Sequence, residues 1–140
     1  MATFITKLSV DYGDDDPELN VEITIHQSHI QSIISLSLHR TNFDLVKWTQ
    51  FCNDIKNNKV SELEFTTLNG YHGFKFFDNK LTYIAEKYGS NDPINVKIVL
   101  LNDRKIYDML THISLRYNEH CARQGDTSHN STIHIETKTF

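Results

Sequence analysis

Through most of the chain, hydrophobic and polar residues alternate in short runs, and a helical rhythm replaces the alternation in two places. Phe4, Leu8 and Val10 share one side of the first run, with Lys7 and Ser9 on the other. Val21, Ile23 and Ile25 alternate with Glu22, Thr24 and His26, and Ile34, Leu36 and Leu38 alternate with Ser35, Ser37 and His39. A period of two puts successive side chains on opposite faces, so these runs predict three half-buried strands. The connections, residues 11–18 with Gly, Pro and clustered Asp and residues 27–31, are short enough to favour antiparallel pairing.

The rhythm then changes. Leu45, Trp48, Phe51, Cys52 and Ile55 fall within an arc of about 120° at about 100° per residue, the stripe of a helix lying on a sheet. Thr41 is the expected N-cap, with Asp44 three residues on, and Asn57-Asn58-Lys59 ends the helix. Alternation returns at Leu63 and Phe65. Asn69-Gly70 signals a hairpin that Tyr71-His72-Gly73 extends as a loop. Phe74 and Phe76 follow, then a turn at Asp78-Asn79-Lys80, then Leu81, Tyr83 and Ala85. After a loop at residues 89–93, Ile94, Val96, Ile98 and Leu100 alternate with Asn95, Lys97, Val99 and Leu101. Apolar residues on both faces at the end of that run predict a central or covered strand.

Ile106, Met109, Leu110, Ile113, Tyr117 and Cys121 form a second helical stripe, with Asn102 as its cap and Gly125 as its stop. Ile133 and Ile135, set against His134 and Glu136, predict a short edge strand. The order is β-β-β-α-β-β-β-β-α, with this C-terminal edge strand. It predicts an α+β fold, an antiparallel sheet with two helices packed on one face. At 140 residues the chain is expected to be a single domain, with residues 126–140 as a mobile or edge-strand tail.

Charge changes the picture. Residues 1–41 hold six acids and two bases, and the rest holds twelve of each, so the whole net charge of -4 sits in the first third. A negative chain without a basic patch is a poor binder of nucleic-acid backbone. Asp11, Asp14, Asp15, Asp16 and Glu18 concentrate the acid in one loop, a candidate for steering a basic partner surface. The loop fails as an EF-hand because Gly13 is misplaced. Cys52 and Cys121 fall on or beside apolar stripes, as buried free thiols suited to a reducing cytoplasm. The sequence lacks the roughly 20 consecutive apolar residues of a membrane span. A leader is not expected from MATFITKLSV, which has no long apolar run. Frequent Asn, Ile and Lys read as the coding bias of a bacterium, phage or virus.

Catalytic chemistry finds little footing. The eight histidines show no HExxH or i, i+4 pairing for metal, and no nucleophile elbow or phosphate loop is present. No catalytic, metal or cofactor residues are therefore assigned. His26-Gln27-Ser28 and His112-Ile113-Ser114 are shaped like a two-histidine phosphodiesterase pattern, which needs both histidines on central strands. His112 instead falls within a helical stripe. A small metal- or histidine-dependent enzyme remains the alternative reading. The aromatic cluster Tyr71, Phe74, Phe76, Phe77 and Tyr83 divides. Phe74 and Phe76 are expected in the core. Tyr71, His72 and Phe77, at a loop and a turn, are candidate partner contacts, and base stacking by Tyr71 and Phe77 is a further alternative.

Leu36-Ser37-Leu38, Phe43-Asp44-Leu45 with Trp48, the acidic strand Glu62-Leu63-Glu64-Phe65, Gly73-Phe74 with Phe76, the strand of Val96, Ile98 and Leu100, and a final helix form a continuous layout. From about residue 33 to residue 113 it resembles the small immunity proteins of bacterial polymorphic toxin systems. The resemblance implies a cytoplasmic inhibitor that masks a toxin domain. The acidic first third and the tail after Gly125 lie outside it. A non-catalytic protein-binding module of immunity or anti-defence type is thus the expected function, with homo-oligomerisation through the tail as a further possibility to test.

Overall fold

A computed structural model describes residues 2–12, 17–67, 70–87, 95–121 and 132–140. The elements are β1 (Ala2–Asp11), β2 (Glu18–Gln27), β3 (Ile30–Leu38), α1 (Leu45–Lys56), β4 (Ser61–Thr67), β5 (Gly70–Phe77), β6 (Lys80–Lys87), β7 (Asn95–Leu101), α2 (Arg104–His120) and β8 (Thr132–Thr139). This is the α+β order that the alternation predicts. The strands close into two antiparallel four-stranded sheets, ordered β3-β2-β1-β8 and β4-β5-β6-β7. The chain divides accordingly into two compact units, Met1–Phe43 with Asp108–Phe140, and Asp44–Tyr107.

In the first unit, β1 and β2 pair without interruption from Ala2–Gln27 to Asp11–Glu18. One face of this sheet buries Phe4, Leu8, Val10, Leu19, Val21, Ile23, Ile25, Ile34, Leu36 and Leu38. The β2–β3 turn is only Ser28–His29, with Ser28 in the left-handed region at φ 52°. Tyr117 of α2 tilts against Phe43, ring centroids 4.2 Å apart. The predicted α2 stripe is buried at every position, from Ile106 to Cys121.

The helix begins at Arg104 instead of directly after Asn102, because Asp103 takes the capping role. The Asp103 side chain accepts from the Lys105 N–H at 3.1 Å.

At the sheet's edge, β8 departs from its alternation. Leu8 pairs with Glu136 but Ser9 pairs with His134, so Ile135 is an extra residue, a β-bulge. The bulge shifts the phase by one. Glu136 and Lys138 turn to the face of Leu8 and Thr6, and Ile133, opposite Val10 on that same face, is 51% exposed.

In the second unit, Asp44 caps α1 in place of Thr41. Its carboxylate accepts from the N–H groups of Val46 and Lys47, at 3.0 and 3.2 Å. Thr41 sits in a tight turn closed by the Phe43 N–H to the His39 carbonyl, so the chain is not yet helical there. Trp48, Phe51, Cys52 and Ile55 are buried. Trp48 meets Phe74 of β5 edge-on at 6.0 Å, which places α1 on the β4–β7 sheet as its stripe requires. Asp78 and Asn79, both left-handed, make the two-residue β5–β6 turn.

Candidate functional site

The pairing register sorts the β4–β7 sheet into two faces. The face under α1 carries Leu63, Phe74, Phe76, Leu81, Tyr83, Ala85, Ile98 and Leu100, all buried. The other face is open and organised in cross-strand rows. Phe77, Lys80 and Leu101 form one row. Glu62, Lys75, Thr82 and Val99 form the next. Glu64, Gly73, Ile84 and Lys97 follow, and Thr66, Tyr71, Glu86 and Asn95 close the face. Phe77 is 68% exposed, Leu101 67% and Val99 45%, and Val60, just before β4, is 73%. Exposed apolar side chains grouped on one face mark contact surfaces more often than solitary ones do.

This corrects the expected place of β7. Apolar residues on both faces do not mean that it is central. It is an edge strand, and Val99 and Leu101 face outward in the open. Tyr71 and His72 are also corrected, since both lie within β5 and not in a loop. Being adjacent in a strand, they point to opposite faces. Only Tyr71 shares the open face with Phe77. His72 is half-buried on the other side, stacked against Phe65 at 5.2 Å, with Nδ1 2.8 Å from the Tyr83 hydroxyl. Burial pushes the His72 imidazole down and the Tyr83 phenol up to about 12.

Charge divides the open face. The Tyr71 hydroxyl donates to Glu64 at 2.8 Å, and Gly73 makes room for it, since a Cβ there would lie 2.7 Å from that oxygen. The hydrogen bond to Glu64, with Glu62 and Glu86 nearby, pushes the phenol up to about 12. Tyr71 therefore stands among carboxylates, a poor platform for nucleic acid. Phe77, Val99 and Leu101 stand instead among Lys75, Lys80 and Lys97. Of the eight sequence candidates, Phe77 belongs to the exposed patch. Val99 and Leu101 were visible as the outward set of the last strand, and Val60, just before β4, was not singled out.

The acidic candidates lie in the first unit. Asp11 and Glu18 are strand ends paired directly opposite each other, and Asp14, Asp15 and Asp16 lie outside the described residues. Like charges facing across an antiparallel pair repel. Glu18→Lys is therefore expected to raise stability by about 0.5 kcal/mol. Chemical denaturation at low salt checks this, and an unchanged or lower midpoint contradicts it.

A second cluster was not foreseen. Glu136 accepts from Arg116 Nε at 2.5 Å, and His112 Nε2 lies 2.7 Å from the same oxygen. Arg116 also bonds Glu119 at 2.8 Å. Arg116 holds the Glu136 carboxyl below its ordinary value, and burial, outweighing Glu136, pushes the His112 imidazole down. Asp108, Thr111, His112, Leu115, Lys138 and Phe140 border a cleft of about 450 Å³ beside it. The bulge in β8 was the hidden signal, since only the shifted phase brings Glu136 under α2. His26 is on the opposite face of the same sheet, paired with Thr3 and Gln31, so the two-histidine arrangement does not assemble. Among the described residues, no three His, Cys, Asp or Glu side chains could together hold a metal.

Cys52 and Cys121 are free and buried. Burial first, and then Glu18, pushes the Cys121 thiol up to about 12, which leaves it protonated and unreactive. Among the described residues no helix is long and apolar enough to cross a membrane. No protein-family model, curated protein or solved structure matches the chain.

Proposed function

We propose that this protein is a non-catalytic binding module that docks another protein on the open face of its β4–β7 sheet. The observation that carries the reading is the exposed set Phe77, Val99 and Leu101 at one end of that face, interleaved with Lys75 and Lys80 and with exposed Val60 just before β4. Exposed aromatic and aliphatic anchors inside a charged rim are the anatomy of a protein interface. The chemistry-bearing cluster at His112 reads differently. Its imidazole and guanidinium are both turned to Glu136, which ties an edge strand to a helix and leaves no activated nucleophile.

The cellular role that fits is inhibition by masking, of immunity or anti-defence type, in the cytoplasm of a bacterium or phage-infected cell. The acidic end of the β1–β2 hairpin has a part in this reading. Asp11 and Glu18 retain a like-charge pairing that weakens the hairpin, and a charge kept against stability suits the steering of a basic surface.

Affinity enrichment of the tagged chain from its native cells, followed by reconstitution of the complex from purified parts, tests the reading. Phe77→Ser is expected to weaken the reconstituted complex about tenfold, a typical loss for an anchor residue, while leaving the melting temperature unchanged. Equal affinity for wild type and variant, measured by calorimetry, would remove the open face from the interface.

A further inference from the structure

We infer that β7 receives an extended acidic and apolar segment of the partner as a fifth strand of the β4–β7 sheet. This rests on the binding reading above and specifies what is bound.

The four edge strands differ in how they are defended. β8 has its bulge and two charges, Glu136 and exposed Lys138, on the face of Leu8 and Thr6. β4 presents Glu62 and Glu64 outward. β3 also lacks a bulge, proline and charge, and differs from β7 in its mainly polar outward set, Gln31, Ser35 and Ser37 with Ile33, although Ile30 is exposed at its end. β7 has none of the usual devices apart from a single lysine. Its register with β6 runs unbroken from Lys80–Leu101 to Glu86–Asn95, it contains no proline, and Val99 and Leu101 face outward. Its outer edge pairs with no strand among the described residues. An unbulged edge with outward apolar residues is a template for another strand.

Charge selects the strand. On the open face Lys80 pairs with Leu101 and Lys97 lies two residues before Val99, while Lys75 lies two strands further in, opposite Glu62. Pairing of β7 with β7 of a second copy would bring two such lysine sets together, so self-association is disfavoured. A segment of about seven residues, matched to β7, pairs favourably when its outward set places an acid against Lys97 and apolar side chains against Val99 and Leu101.

The probe is a capped heptapeptide in which Leu, Val and Glu alternate with Thr, added to the ¹⁵N-labelled full chain. The expected result is amide shifts and slowed exchange along β7. Affinity should fall at least tenfold with Lys97→Glu or with Lys in place of the peptide's Glu, and should disappear when alternate peptide amides are N-methylated. Equal binding of the N-methylated peptide would overturn strand addition, and equal binding of the Lys peptide would overturn the acidic preference. No shift on β7, protection of β7 in a dimer of the chain alone, or Phe77-dependent retention on phosphatidylserine vesicles without a peptide response would each overturn the proposal. If β7 stays silent while Phe77→Ser still weakens the reconstituted complex, strand addition fails and the binding reading stands.

Discussion

Trp48→Ala is expected to destabilise the protein by about 3–5 kcal/mol, the loss typical of a buried aromatic cut back to alanine. Trp48 is only 2% exposed and is the largest of the fully buried side chains. It stands edge-on to Phe74, which also meets Phe51 at 6.2 Å and Tyr83 at 5.1 Å. Removing the indole leaves a cavity between helix and sheet and unseats the ring that three other aromatics touch. The structure must then either collapse locally or keep the void, and both are unfavourable. Urea denaturation followed by circular dichroism measures the loss. Trp48→Phe, which keeps an aromatic edge there, is expected to recover more than half of it. A Trp48→Ala midpoint close to wild type would show that α1 does not depend on this contact.

Glu136→Ala is expected to cost about 2 kcal/mol near neutral pH, within the range for hydrogen bonds to charged groups. Its carboxylate is the acceptor of Arg116 Nε and the neighbour of His112 Nε2, and its side chain is 27% exposed. Truncation leaves His112, with 10% of its side chain exposed, beside Arg116 and Lys138 without the carboxylate that favours its charged form.

The pH dependence follows from the two directions of shift. His112 in the folded protein takes up a proton less readily than in the unfolded chain. As pH falls below about 6.5, the ordinary imidazole value, the unfolded state is therefore favoured. Glu136, held low by Arg116, adds stability that is complete above the ordinary carboxyl range and is lost as pH falls through its folded value. Both groups make stability rise with pH. In Glu136→Ala the low-pH component disappears. The loss below about pH 6.5 steepens instead, because His112 no longer has the one neighbour that favours its charged form. Denaturation midpoints at pH 7.5, 5.5 and 4 distinguish this from a purely packing effect, which would lower all three equally.

The elements and their order were legible because period-two and helical stripes are local properties. The stripe of Leu45, Trp48, Phe51, Cys52 and Ile55 and that of α2 are both buried as their spacing predicts, apart from Leu45 at the first turn of α1. Boundaries were less legible. Thr41 and Asp44 are both good caps, and a turn that also buries Phe43 decided between them. Tyr71 and His72 resembled a loop because Gly70 and Gly73 flank them. Gly70 instead begins β5 at φ 157°, and Gly73 only makes room for the Tyr71 ring.

The candidate surface was half legible. Phe77 was visible as an aromatic residue next to a turn. The significance of Val99 and Leu101 depended on whether β7 had a neighbour on each side, and pairing partners are distant in sequence. The same apolar pattern means a covered strand in the middle of a sheet and an open contact face at its edge.

By itself, then, the sequence determined the number and type of elements, the buried stripe of each helix and the acidic bias of the first third. These depend on side-chain chemistry within a few residues. Only the tertiary structure decided that the strands form two sheets, that β7 lies at an edge, and that one extra residue in β8 turns Glu136 inward to Arg116 and His112. Each of these is a matter of register between segments far apart in the chain. A shift of a single residue reverses which face every following side chain occupies.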